Sequence, residues 1–433
     1  MMRIIQKSGA KKMKINNNEW TEYSLEDLLS YEQPTPYIVE STDYSDNYKT
    51  PVLTAGKSFI IGYTNETNGI YDKLPVIIFD DFTTSTQYVN FPFKVKSSAM
   101  KILTANTDLV LPKFIFYRMQ IIEFDHSTHK RYWIQQYSKI KVKIPSLPEQ
   151  EKIVTKIEEL FSELDNGVET LKKTNQQLTV YRQAVLKEAF EGNYTLDYRK
   201  NMCDSNAEND FKSIKIPNPI YKDISGDENE IKLSLPSEWI KVRMGDVFTV
   251  EVGSTPSRRI PEYWNGDIPW VSSGEVHFNS IFETEECITQ NGLDHASTNV
   301  HPIGTIMLAM IGEGKTRGQA AILNIPAAHN QNTAAILVSK TPCQPKYIYY
   351  FLQMNYENTR RVGSGNNQKA LNKERVRALR FPFASFEEQK IIVEEIESRF
   401  SVCDSIEKTV DTALQQAEAM RQSILKKAFE GDL

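Results

Sequence analysis

Four short stretches carry side chains that could do chemistry. Gly312-Glu313-Gly314-Lys315-Thr316-Arg317-Gly318 has the glycines and the lysine of a phosphate-binding loop. That motif needs a Gly five residues ahead of its Gly-Lys pair, so that backbone amides can wrap the phosphates, and position 309 is Ala. Arg317 and Gly318 also stand where its helix would begin, so the stretch reads as a turn presenting Lys315 and Arg317 to a ligand. Asp80-Asp81 invites a metal-dependent nuclease, which needs a further acid beside a lysine downstream. Phe93-Lys94-Val95-Lys96 supplies lysines and no acid. His126 and His129 have metal-compatible spacing, but no Cys, Asp or Glu cluster completes four ligands. An amino-methyltransferase needs an Asn-Pro-Pro-Tyr type of loop and a serine hydrolase a Gly-x-Ser-x-Gly elbow, and neither occurs. The chain reads as non-catalytic.

What remains is recognition chemistry. Loops rich in hydrogen-bond donors and cations recur: Lys57; Thr83, Thr84 and Ser85; Lys94, Lys96, Ser97 and Ser98; Arg258 and Arg259; Ser272 and Ser273; Lys315, Thr316 and Arg317; Asn330, Gln331 and Asn332; Ser364, Asn366 and Asn367. Asn and Gln pair with adenine edges, Arg and Lys with guanine, and Ser or Thr with a base or a phosphate. These residues are the candidate DNA contacts.

The elements that must position them are announced by a repeat. Residues 149–192 and 388–431 align without a gap, with 20 identities in 44 positions. In the first copy Ile157, Leu164, Leu171, Leu178 and Val185 recur every seven residues; in the second Ile396, Cys403, Val410, Ala417 and Ile424 do so. A heptad stripe held over five turns of the repeat is a coiled-coil seam. A weaker stripe runs through Ile153, Leu160, Gly167, Thr174 and Tyr181, and through Ile392, Arg399, Ile406, Ala413 and Met420. Small seam residues (Gly167, Cys403, Ala413, Ala417) would permit close helix approach. Gly192 and Gly431 mark the helix ends, and 44 residues of helix span ~65 Å. Ahead of each copy lies a divergent stretch opened by a tryptophan, Trp20-TEYSLEDLL and Trp239-IKVRMGDVF. VIIFDDF (76–82) and IMLAM (306–310) have strand character, whereas WTEYSLEDLL and PKYIYYFLQM (345–354) read as helices. The polar stretch 197–236 reads as a linker.

Composition sets the frame. The 433 residues are 40% hydrophobic and 25% charged, with 51 Lys plus Arg against 56 Asp plus Glu. Four scattered cysteines (Cys203, Cys287, Cys343, Cys403) form no Cys-x-x-Cys pair and fit a reducing cytoplasm. No apolar run nears the ~18 residues of a membrane span, and the basic N-terminus lacks a signal-peptide core. The net charge of −5 speaks against nucleic acid until it is divided by region. Residues 1–147 hold 18 basic and 15 acidic side chains, and residues 237–386 hold 15 and 13. The acidity sits in the helices and the linker. Within 315–380, Lys315, Arg317, Lys340, Lys346, Arg360, Arg361, Lys369, Lys373, Arg375, Arg377 and Arg380 face only Glu357 and Glu374, a candidate phosphate-facing surface.

Together these features resemble the specificity subunit of type I restriction–modification systems. The resemblance is carried by Pro148-Glu-Gln150 and Phe386-Glu-Glu-Gln389 at the helix starts, the second lacking the usual Pro. It also rests on Val76–Thr84, Gly266–Gly274, Gly314-Lys-Thr-Arg-Gly318 and Asn330-Gln331-Asn332. It implies an α+β fold: two mixed α/β target recognition domains separated by two long helices packed as an antiparallel coiled coil, with pseudo-twofold duplication. The expected bounds are 1–147 for the first domain, 148–195 for the central helix, 196–236 for the linker, 237–386 for the second domain and 387–433 for the C-terminal helix. It further implies a non-enzymatic chain that reads a bipartite, gapped site on double-stranded DNA and docks two modification (methyltransferase) subunits and, through them, the restriction (motor–nuclease) subunits. S-adenosylmethionine, ATP and Mg are expected on those partners, with no cofactor or metal on this chain. The alternative is a coiled-coil protein scaffold without direct DNA reading.

Overall fold

The computed structural model describes residues 20–54, 58–125, 131–201, 207–214, 233–312, 314–361 and 371–433. Lys57, His126, His129, Cys203, Glu313, Ser364, Asn366, Asn367 and Lys369 lie outside the described residues, as do the basic N-terminus and most of the linker. The chain divides into two compact units, Met1–Lys173 with Val410–Leu433, and Thr174–Thr409.

In the first unit Trp20 leads into β1 (Thr21–Ser24), the single turn α1 (Leu25–Leu28) and β2 (Leu29–Glu32). The helix expected here is cut to four residues. The Ser24 amide donates to Asp27 Oδ2 at 2.9 Å and caps a turn that begins after extended backbone. Then follow β3 (Thr50–Leu53), β4 (Ile60–Thr64), β5 (Val76–Asp80), β6 (Thr86–Val89), β7 (Lys94–Val95), β8 (Met100–Ala105), α2 (Pro112–Met119), β9 (Lys141–Ile144) and the start of α3 (Leu147–Phe190). One sheet has the order β2-β8-β5-β6 and a second β4-β3-β7, with β3 and β7 parallel; β1 pairs with β9. Ile77 and Phe79 of β5 join a core with Phe114, Trp133 and Tyr137, while Val76 and Ile78 join Leu53, Tyr71 and Phe93. A strand buried on both faces reads as a continuous apolar run, which is why VIIF does not alternate.

The second unit takes the end of α3, then α4 (Leu196–Asn201), α5 (Ala207–Ser213), β10 (Ile240–Arg243), α6 (Met244–Val247), β11 (Val250–Val252), β12 (Trp264–Val271), β13 (Asn279–Ile281), β14 (Glu286–Ile288) and α7 (Gln290–Asp294). It continues through β15 (Ile306–Ala309), β16 (Ala320–Leu323), β17 (Ala328–His329), β18 (Thr333–Ile336), α8 (Pro345–Met354), α9 (Tyr356–Arg361), α10 (Lys373–Ala378), β19 (Arg380–Phe383) and the start of α11 (Phe386–Glu430). Its sheets are β11-β18-β15-β16-β13 and β14-β12-β17, with β12 and β17 parallel, and β10 pairs with β19. Strand for strand, β11, β18, β15 and β16 repeat β2, β8, β5 and β6, and β14-β12-β17 repeats β4-β3-β7. β15 is again buried on both faces, with Ile306 and Leu308 in one core and Met307 and Ala309 in another. The duplication therefore extends into the globules, although their sequences do not align by eye.

Each unit is closed by the start of one long helix and the end of the other. Ile153 and Ile157 of α3 join Leu425 and Phe429 of α11 in the first core, and Leu186 and Phe190 join Ile392 and Ile396 in the second. The pairing is antiparallel within each unit. Arg421 pairs with Asp165 and lies 4.9 Å from the Phe161 ring centroid. Arg182 pairs with Asp404 at 2.6 Å and lies 5.1 Å from the Phe400 centroid. Of the main seam, Ile157, Val185, Ile396, Cys403, Val410 and Ala417 are buried, and Leu164, Leu171, Leu178 and Ile424 half-buried. The weaker stripe needs correction. Gly167, Tyr181, Ile406 and Met420 are exposed, and Phe161, Val168, Asn175 and Arg182 take the second inward line instead. The arginine guanidinium groups lie over the phenylalanine rings and pair with the aspartates across the seam. Gly167 does not serve close approach, since a Cβ there would meet nothing within 4 Å.

The helix starts share one device. Gln150 is fully buried; its Nε2 donates to Pro145 O at 2.9 Å and Leu109 O at 3.0 Å, and its Oε1 accepts from the Leu111 amide at 2.8 Å. Gln389 repeats this with Ala384 O at 2.9 Å and the Gln344 amide at 3.1 Å. Trp20 and Trp239 donate to the preceding glutamates, Glu149 at 3.4 Å and Glu388 at 2.8 Å. Where the first helix has Pro148 in its first turn, the second is capped by Ser385, whose Oγ accepts from the Glu388 amide at 3.3 Å. Gly192 and Gly431 end the helices with φ of 73° and 87°, the left-handed conformation that glycine adopts without strain.

A buried pair has no counterpart in the sequence reading. His329 Nε2 lies 3.1 Å from His301 Nε2, and His329 Nδ1 lies 2.7 Å from Thr333 Oγ1. The Thr333 hydroxyl donates onward to Asn330 O at 3.2 Å, so His329 Nδ1–H is the donor to Thr333 and His301 Nε2–H the donor to His329. Burial, reinforced by His301, pushes His329 down to about 3, and burial lowers His301 as well.

Two expectations follow from these contacts. Gln150→Ala takes this partner from three backbone groups, one buried and two half-buried, and should cost about 2–4 kcal/mol, read as a lower urea midpoint at unchanged slope; an unchanged midpoint would refute the role. His329 binds a proton in the unfolded chain below about pH 6.5 but in the fold only near pH 3. Its stabilisation is therefore complete above that pH and is lost as pH falls toward 3. The native chain should lose up to ~1.4 kcal/mol per pH unit more than His329→Asn between pH 6.5 and 5; parallel pH profiles would contradict this.

Candidate nucleic-acid interface

In the first unit, Asp80 of β5 pairs with Met100 of β8, and the Asp81 amide donates to Ala99 O at 3.3 Å. The β5–β6 loop (81–85) and the β7–β8 loop (96–99) therefore leave the same end of the sheet. Thr83, Ser85 and Lys96 are exposed there, and Thr84, Ser97 and Ser98 half-buried. The two aspartates are the loop's supports. Asp80 Oδ1 accepts from the amides of Phe82 at 2.9 Å and Thr83 at 3.3 Å. Asp81 Oδ1 accepts from the Trp133 amide at 2.8 Å, and its Oδ2 stands 3.2 Å from Lys101 Nζ, both side chains 1% exposed. Lys101 also donates to Gln33 Oε1 at 3.1 Å. Lys94 is corrected: it is buried, donates to Asn68 O at 2.6 Å and pairs with Glu66 at 2.9 Å, so it cannot face a groove. Glu66, held below the usual carboxylate range by Lys94 and backbone amides, accepts from the amides of Glu40 and Ser41.

The second unit repeats this end with different residues. Ala309 of β15 pairs with Thr333 of β18, and the Met310 amide donates to Asn332 O at 2.8 Å. The β15–β16 loop (310–319) and the β17–β18 loop (330–332) are the topological equivalents of 81–85 and 96–99. The β11–β12 connection joins them, because the Ser254 amide donates to His329 O at 3.0 Å, and Ser272 follows Val271, whose carbonyl accepts from the Asn330 amide at 3.1 Å. Arg258, Arg259, Ser272, Ser273, Lys315, Thr316, Arg317, Asn330, Gln331 and Asn332 thus gather at one end of the sheet.

Their roles differ. Arg259, Lys315 and Gln331 are exposed. Arg317 is half-buried, and its Nε is buried with no hydrogen-bond partner among the described residues. Arg258 stacks 3.8 Å from the Trp264 centroid and pairs with both carboxylate oxygens of Glu286, one at 2.7 Å, so its charge is already engaged. Ser272 opens a capped turn, its amide donating to Glu275 Oε2 at 2.6 Å. Asn330 is corrected: it is 6% exposed, and its Oδ1 accepts from the Asn332 amide at 3.0 Å and the Thr333 hydroxyl at 3.3 Å. It shapes the loop and does not reach outward.

The basic stretch 315–380 is also divided. Lys346 pairs with Glu397 on α11, and Arg377 with Glu374 at 3.4 Å. Lys340 follows β18 at the opposite end of the sheet. Arg360 stays with the loops, donating to Gly314 O, and the Tyr356 hydroxyl donates to Lys315 O. Gly312 and Gly318 flank the loop with φ of 138° and 87°, and strand β16 follows where a phosphate-binding loop would place its helix. Sequence reasoning missed Thr255, Trp264 and the histidine pair; only the two tryptophans flanking Asn265–Pro269 offered a signal.

Among the described residues no cluster of His, Cys, Asp and Glu is arranged to hold a metal, and no helix is long and apolar enough to cross a membrane. The sequence profile of the type I restriction modification DNA specificity domain matches residues 17–180 and 236–416. The specificity subunit of the Escherichia coli type I restriction enzyme EcoR124I/EcoR124II is 32% identical over 397 residues, covering 90% of this chain and 88% of its own. The fold is similar to a chain from a study of assembly and conformational transition in the type I R-M system, with a TM-score of 0.65 at 16% identity, covering 96% and 98% of the two chains. It is also similar to the HsdS subunit of Thermoanaerobacter tengcongensis, with a TM-score of 0.51 at 16% identity, covering 96% and 97%. Specificity subunits are non-catalytic, typically hold no cofactor and are part of a type I restriction–modification complex. With both halves of the sequence matched, the chain belongs to the type I restriction–modification specificity family and is a DNA specificity subunit with two target recognition regions.

Proposed function

We propose that the loop end of each unit reads one half of a bipartite, gapped site on double-stranded DNA. The observation that carries this is the topological equivalence of loops 81–85 and 96–99 with loops 310–319 and 330–332, filled with different donors and cations. One frame with two sets of reading residues suits an asymmetric site. Residues 1–147 and 237–386 are the proposed target recognition domains, joined by helices 148–195 and 387–433 and the linker 196–236. Thr83, Thr84, Ser85, Lys96, Ser97 and Ser98 are the proposed contacts in the first, and Arg259, Ser273, Lys315, Thr316, Arg317, Gln331 and Asn332 in the second.

The helices are the proposed docking sites for two modification subunits. Two copies of one helix, sharing 20 of 44 residues, suit two identical partners. Val180, Val402, Ile406 and Met420 on these helices are exposed, apolar surface. Restriction subunits join through the modification subunits. S-adenosylmethionine, ATP and Mg belong to those partners, in the cytoplasm where the DNA lies.

Exchange of residues 237–386 for the corresponding domain of a relative should change one half of the methylated motif and leave the other intact; a change in both halves would defeat modular reading. Insertion of one heptad into both helices should lengthen the unread spacer by about three base pairs, or abolish methylation. A native-length spacer from an active insertion variant would count against helical spacing.

A further inference from the structure

We propose that Gln331 is a base-reading residue of the second unit and that Thr255 is the positioning residue that fixes which face of its amide is offered. This rests on the loop end being the DNA-facing surface. Loop 330–332 is fastened on every side. The Asn330 amide is bonded to Val271 O at 3.1 Å, Asn332 O accepts from Met310 at 2.8 Å, and Asn332 N donates to Asn330 Oδ1 at 3.0 Å. His329 O accepts from the Ser254 amide at 3.0 Å and the Thr298 hydroxyl at 3.1 Å. Gln331 stands exposed at the apex of this braced turn.

Its carbonyl end is held by one hydrogen bond. The Thr255 hydroxyl donates to Gln331 Oε1 at 2.5 Å. Thr255 is itself braced: the Trp270 indole donates to Ser254 O at 3.1 Å, and Gly253 lets the two loops touch, since a Cβ there would sit 1.9 Å from His329 O. The amide nitrogen of Gln331 has no partner among the described residues. A glutamine free at both ends pairs bidentately with adenine, accepting from N6 and donating to N7. Thr255 takes one of the two lone pairs of Oε1 and so fixes the rotation of the amide, leaving a single outward edge to meet a base. That fixed edge admits one arrangement of donor and acceptor opposite it, where a freely rotating amide would admit two. A pre-set side chain of this kind gains selectivity because its orientation costs no entropy on binding.

The test uses the full chain expressed with its modification subunit, with the adenine-methylation map of the host chromosome as readout. The native chain should give a gapped motif. Gln331→Ala should lose discrimination at one base pair of one half, by about fivefold or more, with the other half unchanged. Thr255→Val, which frees the amide to rotate, should weaken discrimination at that same base pair, and Thr255→Ser should keep the native motif; native discrimination in Thr255→Val overturns the positioning role. A Gln331→Ala motif identical to the native one, or a change spread over both halves, overturns the assignment. Should Gln331→Ala give no methylation, competition binding of the complex to duplexes varied at each base pair of the native half-site decides, and native discrimination at every position overturns it. A native chain that yields no gapped motif refutes instead the DNA-facing reading on which the assignment rests.

Discussion

The structure depends on one constraint: two copies of a helix packed antiparallel must each supply both ends of the pairing. Arg182 meets Asp404, and the equivalent Arg421 meets Asp165. Each globule is therefore roofed by the beginning of one copy and the end of the other. In the first unit Phe429, near the chain terminus, packs 5.2 Å from Phe114. Such a core is built from contacts of very long sequence separation, whose closure entropy must be met before they stabilise anything. The first unit cannot be complete until the last helix is made. Identical Phe, Asp and Arg positions in both copies follow from this, because a change in one copy alters its own unit and the other.

The globules show the opposite freedom. Their strand order is duplicated, but the means of bracing the reading loops is not. In the first unit a buried Asp81–Lys101 pair stands beneath loop 81–85; in the second a neutral His301–His329 pair backs loop 330–332. A buried ion pair contributes little net stability but fixes one arrangement of its neighbours. The histidine pair does the same work through hydrogen bonds. The sheet needs only apolar side chains alternating between two cores, a demand that many sequences meet, so the frame persists while its sequence diverges.

That asymmetry explains what was legible. The helices were readable because a heptad stripe and a terminal glycine are local signals; the main seam and both C-caps lie where the periodicity put them. The second stripe differs because Arg182 and Arg421, polar by composition, occupy the seam with their guanidinium groups over Phe400 and Phe161. The loops that gather at the sheet ends were visible by composition alone. Which of their residues face outward was not, because partners distant in sequence decide it. Lys94 is drawn inward by Glu66 and Asn68, and Asn330 is consumed by its own turn. The short WTEYSLEDLL helix failed for a similar reason: the Ser24–Asp27 cap and pairing with β8 and β9 outweigh a moderate helical pattern.

The charge of the chain takes its meaning from the same pairing. Three of the eleven cations between 315 and 380, Lys346, Arg377 and Arg360, are engaged within the chain, and Arg258 is held by Glu286 with its pKa raised by that bond. On the proposed reading, each unit brings only a handful of phosphate contacts, and each contact contributes about one unit of salt slope. Binding by two such readers on one duplex is favoured by their linkage, because the second meets the DNA at high effective concentration. On the same reading, partners docked on the helices would supply the remaining phosphate contacts, so that this chain contributes the choice of sequence and the assembled complex most of the affinity.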